Sequence, residues 1–395
     1  MLSRLVVSQN DKQLGAGNYS YTTYDVLGRI TEVGQKEQVS NYGPLEGGYL
    51  SDFQINNLNN TGTNTQITRT YYDFPTVAGN GLQAFTGQAN LRKRVAASAY
   101  LETQAGPVLN ATYYNYDLDG NVNTLWQQVN GLGTKKIDYE YDLISGKVNF
   151  VSYQAGQTDQ FFYQYDYDAD NRLTKAWTGT AALLRPIGGS ELLPHSKRLE
   201  ASYFYYLHGP LARTELGPAS GLVQGIDYAY TLQGWLKGVN NQSTAQTTDM
   251  GQDGISTGNY TVGKDAFAYA LGYYAGDYKP IKPLLATGFN LNYAPAAGDE
   301  AGQNLYNGNI SSSTLSIGQF GSGAPVGYSY HYDQLNRLKA MRQHTGISGS
   351  SWGNGSKTTN YKENITYDAN GNILTYLRNG TAANGSLSMD NLTYN

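Results

Sequence analysis

The chain of 395 residues contains no cysteine, which excludes a disulfide framework and any thiolate metal centre. Charge is sparse as well: 27 Lys and Arg stand against 31 Asp and Glu, giving a net charge of −4. The longest basic cluster is the Arg-Lys-Arg run at 92–94. A phosphate backbone needs a continuous basic surface, so no nucleic-acid partner is expected. No run approaches the roughly 18 apolar residues of a membrane-spanning helix, so no membrane span is expected either. The opening stretch MLSRLVVSQN is too short in its apolar part for a signal-peptide core. Two readings stay open: a cytosolic protein, or one whose export signal lies outside this chain.

Catalytic signatures are also missing. The four histidines, His195, His208, His331 and His344, have no metal-ligand spacing. No HExxH, GxSxG elbow, P-loop or GxGxxG occurs. No enzymatic activity, cofactor or metal is therefore expected. His208, beside Gly209 and Pro210, reads as a turn residue and His331 as a strand residue.

What the chain has in excess is tyrosine, 36 copies against 10 Phe and 4 Trp, together with 47 Gly. A Tyr ring buries its body and keeps its hydroxyl on water or a partner, so many half-wet aromatic surfaces are implied. Glycine, Asn, Thr and Ser in this quantity read as strands punctuated by tight turns. The aromatic content argues against a solvated, disordered chain.

The turns recur. Aligned on Tyr-Asp, the octamers YDVLGRIT from Tyr24, YDLDGNVN from Tyr116, YDADNRLT from Tyr167, YDQLNRLK from Tyr332 and YDANGNIL from Tyr367 share one pattern. Four residues after Tyr stand Gly28, Gly120, Asn171, Asn336 and Gly371, the two residue types that most readily take a positive φ. Arg29, Asn121, Arg172, Arg337 and Asn372 follow, and then an aliphatic residue. This pattern predicts a hairpin with a type I turn and a bulge, the carboxylates of Asp25, Asp117, Asp168, Asp333 and Asp368 accepting backbone N–H groups. A variant begins at Tyr141 and Asp142, where one extra residue before Gly146 predicts a longer loop. Degenerate copies are read at Tyr230 to Gly234, with Thr231 in place of Asp, and at Tyr206 to Gly209. Period-two alternation flanks each turn and places Tyr114 and Tyr116 near Val122 and Leu125. A short helical turn is expected only around 263–272. Segments near 75–87, 185–198, 242–259 and 293–322 break the rhythm and read as surface loops within one repeat segment spanning 1–395.

Together these octamers, with YLHGPLARTELG at 206–217, VQGIDYAYTLQGWLKGVN at 223–240, KDAFAYALGYYAGDYKPI at 264–281 and LYNGNIS at 305–311, resemble the RHS or YD-repeat proteins over nearly the whole chain. The longer segments resemble the Bacteroidetes members. The resemblance implies an all-β fold: a spiral antiparallel β-sheet of YD-repeat hairpins forming part of a hollow shell, or cocoon. Such shells enclose a C-terminal toxin in bacterial RHS proteins and in the related insecticidal toxin-complex components; in the animal teneurins a similar shell serves adhesion. It further implies a secreted or cell-surface location, with the remainder of a longer RHS polypeptide and its enclosed effector as partners. The family's Asp-Pro-x-Gly segment, associated with plugging the shell and with self-cleavage, has no counterpart here, because the chain contains no Asp-Pro dipeptide. An internal or truncated shell segment is therefore expected. The alternative is a surface adhesion or carbohydrate-binding module with a glycan partner.

The stretch YDYDADNRLTKAW at 165–177 places Asp166, Asp168 and Asp170 at alternate positions, like the start of a calcium-binding loop. Such a loop wants Gly at its sixth position and a bidentate Glu at its twelfth, where this stretch has Asn171 and Trp177. A turn role is preferred, with Asp168 as the acceptor and Asp166 and Asp170 as bystanders. Arg29, Arg172 and Arg337 have two readings, facing a carboxylate or a neighbouring Tyr ring, or a plain outer-edge cap of the hairpin, and the cap is preferred.

Overall fold

The structure, a computed structural model, describes residues 4–37, 62–79, 81–85, 87–181, 197–218, 220–245, 249–254, 261–280, 289, 292–295, 299–347, 351–353, 355–381 and 387–394. It is almost entirely antiparallel β-structure. The backbone divides into two compact units, Met1–Asn171 with Trp177–Lys197, and Arg172–Ala176 with Arg198–Asn395.

In the first unit a two-residue strand β1 (Val7–Ser8) and a helix α1 (Asp11–Ala16) precede β2 (Asn18–Tyr24), β3 (Ile30–Glu37), β4 (Thr63–Tyr72) and β5 (Val95–Thr103). Then come β6 (Val108–Tyr116), β7 (Val122–Val129), β8 (Gly133–Tyr141), β9 (Val148–Tyr153) and β10 (Phe161–Tyr167). From β2 to β10 each strand pairs antiparallel with the next. β11 (Leu173–Gly179) follows and is divided between the units. The helix, not foreseen in the sequence, owes its start to a capping box: the Asn10 side chain accepts from Gln13 N–H while the Gln13 side chain accepts from Asn10 N–H.

The second unit contains β12 (Arg198–Tyr205), β13 (Leu211–Leu216), β14 (Gln224–Tyr230), β15 (Leu236–Val239), β16 (Phe267–Gly272), β17 (Asn292–Ala294) and β18 (Ser312–Ile317). It continues through β19 (Val326–Tyr332), β20 (Leu338–His344), β21 (Ser351–Gly353), β22 (Glu363–Tyr367), β23 (Ile373–Asn379) and β24 (Ser388–Thr393). The same antiparallel succession holds, with β16 pairing β18 and β20 pairing β22. The two strands passed over, β17 and β21, pair with each other in parallel.

Three expectations are corrected. Residues 263–272 form no helical turn: Phe267–Gly272 is β16, because Phe, Tyr and Leu alternate with small residues in period two and pair with β18 over six positions. The segment 293–322 is not one loop, since it contains β18 and part of β17. The segment near 75–87 is not a bare surface loop either. It buries Leu82 and packs Phe85 against Ile67, Ala97, Ala99, Leu101, Val108, Ala111 and Tyr113, the apolar core of the first unit. Most of the loop expected at 185–198 lies outside the described residues, as do His195 and parts of 242–259.

Strands β14, β16 and β18 alternate buried with less buried positions, but β7 and β9 do not. Every residue of β9, and all of β7 except one exposed position, is partly buried whichever face it points to. A strand buried on one side would alternate buried with exposed. Tyr, Thr and Asn suit a surface of this kind, since they cover apolar area while keeping a polar group in water.

Candidate functional site

The repeat turns share one hydrogen-bond frame. Asp25 N–H donates to the Arg29 carbonyl at 2.9 Å and Gly28 N–H to the Asp25 carbonyl at 2.9 Å. The Asp25 carboxylate accepts from Leu27 and Arg29 N–H, both at 2.9 Å. Asp117, Asp333 and Asp368 repeat the frame with Gly120, Asn336 and Gly371. At Asp168 the carbonyl accepts from Asn171 N–H and the carboxylate from Asp170 N–H, each at 3.0 Å. The positive φ falls where the octamers place Gly or Asn: Gly28 at 83°, Asn171 at 60°, Asn336 at 63°. Each strand shifts register at its last Tyr, the mark of a bulge. In the longer turn Asp142 N–H reaches the Lys147 carbonyl and Gly146 N–H the Asp142 carbonyl. Backbone donors hold the Asp25, Asp142 and Asp333 carboxyls below the usual carboxylate range. Replacing Asn171 with Gly is expected to leave stability nearly unchanged, whereas Asn171→Val should cost about 1 to 3 kcal/mol, because a β-branched residue is strained at that φ. Urea melts of the two variants check this.

A second regularity joins one hairpin to the next. Among the described residues, in nine of the hairpins the hydroxyl of the Tyr that opens the turn donates to a backbone carbonyl of the preceding segment, in eight of them that of the aliphatic residue closing the preceding turn; Tyr230 is an exception. In the first unit Tyr24, Tyr72, Tyr116, Tyr141 and Tyr167 bond Leu5, Ile30, Val95, Val122 and Val148, at 2.8–2.9 Å. In the second, Tyr205, Tyr273, Tyr332 and Tyr367 bond Leu173, Leu236, Ile310 and Leu338, at 2.8–3.0 Å. The arginine beside the positive-φ residue lies over the ring of the next such Tyr: Arg29 over Tyr72 at 4.2 Å, Arg172 over Tyr205 at 4.7 Å, Arg337 over Tyr367 at 4.6 Å. Arg29 and Arg337 also bind their own turn carboxylates, Asp25 and Asp333, at 2.7 Å. Where Asn replaces Arg, Asn121 and Asn372 bond Asp117 and Asp368 instead. Tyr141→Phe, which removes one rung and leaves the ring, should cost about 0.5 to 1.5 kcal/mol and speed amide exchange at the β7–β8 edge.

This ladder exposes two repeats that octamer alignment misses. Tyr72 and Asp73 open a turn that closes only at Lys93, Arg94 and Val95; Asp73 N–H donates to the Arg94 carbonyl and Lys93 takes φ 63°. Tyr273 opens another that closes at Gly308, Asn309 and Ile310, with Gly308 at φ 88°. Lys237 Nζ, paired with Asp277 at 2.7 Å, anchors the insertion inside that second turn. The Tyr-Asp and Gly-Asn-Ile signals are present in the sequence but separated. The degenerate copy near Tyr206 shifts by one residue: Tyr205 holds the ladder position, and Tyr206 takes the place of Asp, its N–H bonding the Pro210 carbonyl. Thr231 substitutes for Asp through its hydroxyl, which accepts from Trp235 N–H at 3.2 Å.

Asp166 is no bystander. It accepts from Trp177 Nε1 at 2.7 Å and from Gln164 Nε2 at 3.1 Å, an arrangement that fastens β10 to a neighbouring ring. His331 lies on β19 and His208 in a turn. His344 is buried between Ser329 and Ser356, and burial lowers its pKa to about 4.

One cluster was not anticipated at all. Arg213 on β13 donates to Asp227 on β14 at 2.5 Å, to Asp253 at 2.7 Å and to Glu215 at 2.9 Å. Asp249 accepts from Gly251 N–H and Asp253 N–H. Asp265 accepts from Gln224 at 2.9 Å. Burial, only partly offset by Arg213, raises the Asp227 carboxyl to about 6. Burial together with the neighbouring Asp249, Asp253 and Asp227 pushes Asp265 well above the carboxylate range.

The turn tips are apolar and exposed: Val26, Leu27, Leu118, Leu143 and Ile144 in the first unit, Leu207, Leu232 and Leu335 in the second.

No protein-family model matches the sequence, and no curated protein matches it. Among solved structures, the crystal structure of TcdB2-TccC3 without its hypervariable C-terminal region overlaps 93% of this chain and 15% of its own, at 12% identity and TM-score 0.41. The Tc holotoxin pore of Photorhabdus luminescens overlaps 94% and 17%, at 12% identity and TM-score 0.40. A porin-like protein from Bacteroides uniformis overlaps 86% of each chain, at 10% identity and TM-score 0.21. The chain thus spans less than a fifth of the toxin-complex chains it resembles.

Proposed function

We propose that the chain is a structural encapsulation module, part of a shell that encloses and helps to deliver a C-terminal toxin or effector, and that it acts without enzymatic chemistry. The observation that carries this reading is the tyrosine ladder. It welds hairpin to hairpin through hydroxyl–carbonyl bonds, most of them partly buried, so a sheet can extend without a thick apolar core behind it. Half-buried positions on both faces of β7 and β9 support the same reading, because a wall between solvent and a wet cavity meets water on both sides. The exposed apolar tips suit a segment covered by the remainder of a longer polypeptide. Secretion or display at the cell surface belongs to the proposal through the resemblance to RHS proteins. Electron microscopy of the full-length protein should show a closed hollow particle with density inside; a compact filled domain would sink the reading. A hydrolase substrate panel should give no turnover.

A surface adhesion or carbohydrate-binding role is favoured by one feature. Tyr306, largely exposed, stacks on Tyr274 with ring centres 4.7 Å apart, a platform on which a sugar ring fits. Glycan-array binding lost on Tyr306→Ala would support it.

A further inference from the structure

The acidic cluster of the second unit is short of positive charge. Asp227, Asp253 and Glu215 share the guanidinium of Arg213, and Asp249 and Asp265 lie beside those aspartates; among the described residues no other cation pairs with these groups. Asp227, Asp249 and Asp253 each bring one carboxylate oxygen to within 4.8 Å of the others. Ionised carboxylates at that separation, out of water, repel strongly.

A second observation concerns Asp253. The residue is fully buried, and while its Oδ1 accepts from Arg213, its Oδ2 is sealed from solvent and receives no hydrogen bond. A buried carboxylate oxygen without a donor needs an ion, a proton or a water to offset its desolvation. The surroundings are shaped around these groups. A methyl group at Gly225 would overlap the Arg213 guanidinium and Asp253 Oδ2, and one at Gly251 would overlap Arg213 and Asp227. Two of the aspartates come from the run Asp-Met-Gly-Gln-Asp-Gly at 249–254, in which Asp249 folds back on the N–H groups of Gly251 and Asp253.

We propose that Asp227, Asp249 and Asp253 form a binding site for a hard divalent cation, calcium, with Arg213 holding two of the three carboxylates in place. The donors are all oxygen, with no His or Cys among them, which favours calcium or magnesium over zinc and copper. Calcium is the better match, because it accepts carboxylates at irregular spacing, whereas magnesium demands a near-ideal octahedron and gives up its water reluctantly. Calcium entry would tie the segment 249–254 to β13 and β14. The site and the shell reading rest on different residues and fail separately.

The test uses the whole chain, dialysed against EDTA and titrated with CaCl2 at pH 7. One saturable binding event is expected in the heat of titration. At calcium about 100-fold above the dissociation constant, the melting temperature should rise by about 5 °C. Asp249→Asn, at a half-buried position, should keep a cooperative melt and weaken calcium binding at least tenfold; Asp253→Asn should do the same if it folds. Magnesium should bind more weakly than calcium. A folded parent chain that gives neither saturable heat nor a shifted melt up to about 5 mM CaCl2, beyond the weakest extracellular calcium modules, overturns the proposal. So does calcium binding that Asp249→Asn leaves unchanged.

Discussion

Arg213→Met is expected to destabilise the unit containing Arg198–Asn395 by roughly 3 to 5 kcal/mol at pH 7 in calcium-free buffer, because it strips the shared cation from carboxylates that stay buried. Met fills a similar volume, so the loss is electrostatic and not a cavity effect. The pH dependence gives the effect its signature. The Asp227 carboxyl is raised to about 6 from an ordinary 3.8, so between about pH 4 and 6 the folded form binds more protons than the unfolded form. That excess makes the contribution of Asp227 to stability fall as pH rises through this window, and Asp265 continues the trend above it. The turn carboxyls behave oppositely: Asp25 and Asp333 are lowered, so the stability they supply is kept above the ordinary value and lost as pH falls below it. Removing Arg213 pushes the clustered carboxyls higher still. The gap between Arg213→Met and the parent chain should thus widen from pH 5 to pH 8 in urea denaturation followed by tryptophan fluorescence. A gap under about 1 kcal/mol, or one that does not change with pH, would show that the guanidinium does not hold these charges together.

Leu101→Ala is expected to cost roughly 2 to 5 kcal/mol, and to cost it in the first unit. Leu101 on β5 is fully buried among Ile67, Leu82, Val108 and Tyr113, and truncation leaves a hole that the flanking strands cannot close without breaking register. Tyr113 in the same cluster is pinned by hydrogen bonds to Gln83 and Gln128, which limits collapse of the site. Leu143→Ala at an exposed turn tip is the control and should stay within about 0.5 kcal/mol. Hydrogen exchange should speed up on β4 to β7 in Leu101→Ala and stay unchanged on β19 to β23. Equal effects of Leu101→Ala and Leu143→Ala would mean that the cluster around Ile67 is not a core.

The repeat turns were legible because they are short-range objects. Within Tyr24 to Ile30 the positive φ of Gly28, the acceptor carboxylate of Asp25 and the bulge at Tyr24 all depend on residues no more than six apart. A residue type that tolerates one backbone conformation reports that conformation directly. The expected strand at Tyr114 and Tyr116, opposite Leu125 and Val122, follows for the same reason, since the turn sets the register. Residues 263–272 look helical only in isolation, because their strand partner β18 lies some forty residues on, in a segment whose Gly and Ser content is that of a loop. The role given to Asp166 missed Trp177, a partner on the next strand.

Sequence alone is enough to show a chain of Tyr-Asp hairpins, to place the turns of the five octamers, and to name the residue in each that takes a positive φ. It takes the folded chain to show that Tyr72 and Tyr273 open repeats closed by Val95 and Ile310, that nine turn-opening tyrosine hydroxyls reach back to the segment before, and that Arg213 gathers aspartates from β14 and from the segment after β15. The reason is range: turn chemistry is fixed by local sterics over a few residues. Ladder rungs and the acidic cluster depend instead on loop closures of a dozen to some forty residues, whose modest entropy cost leaves many closures open until packing selects one.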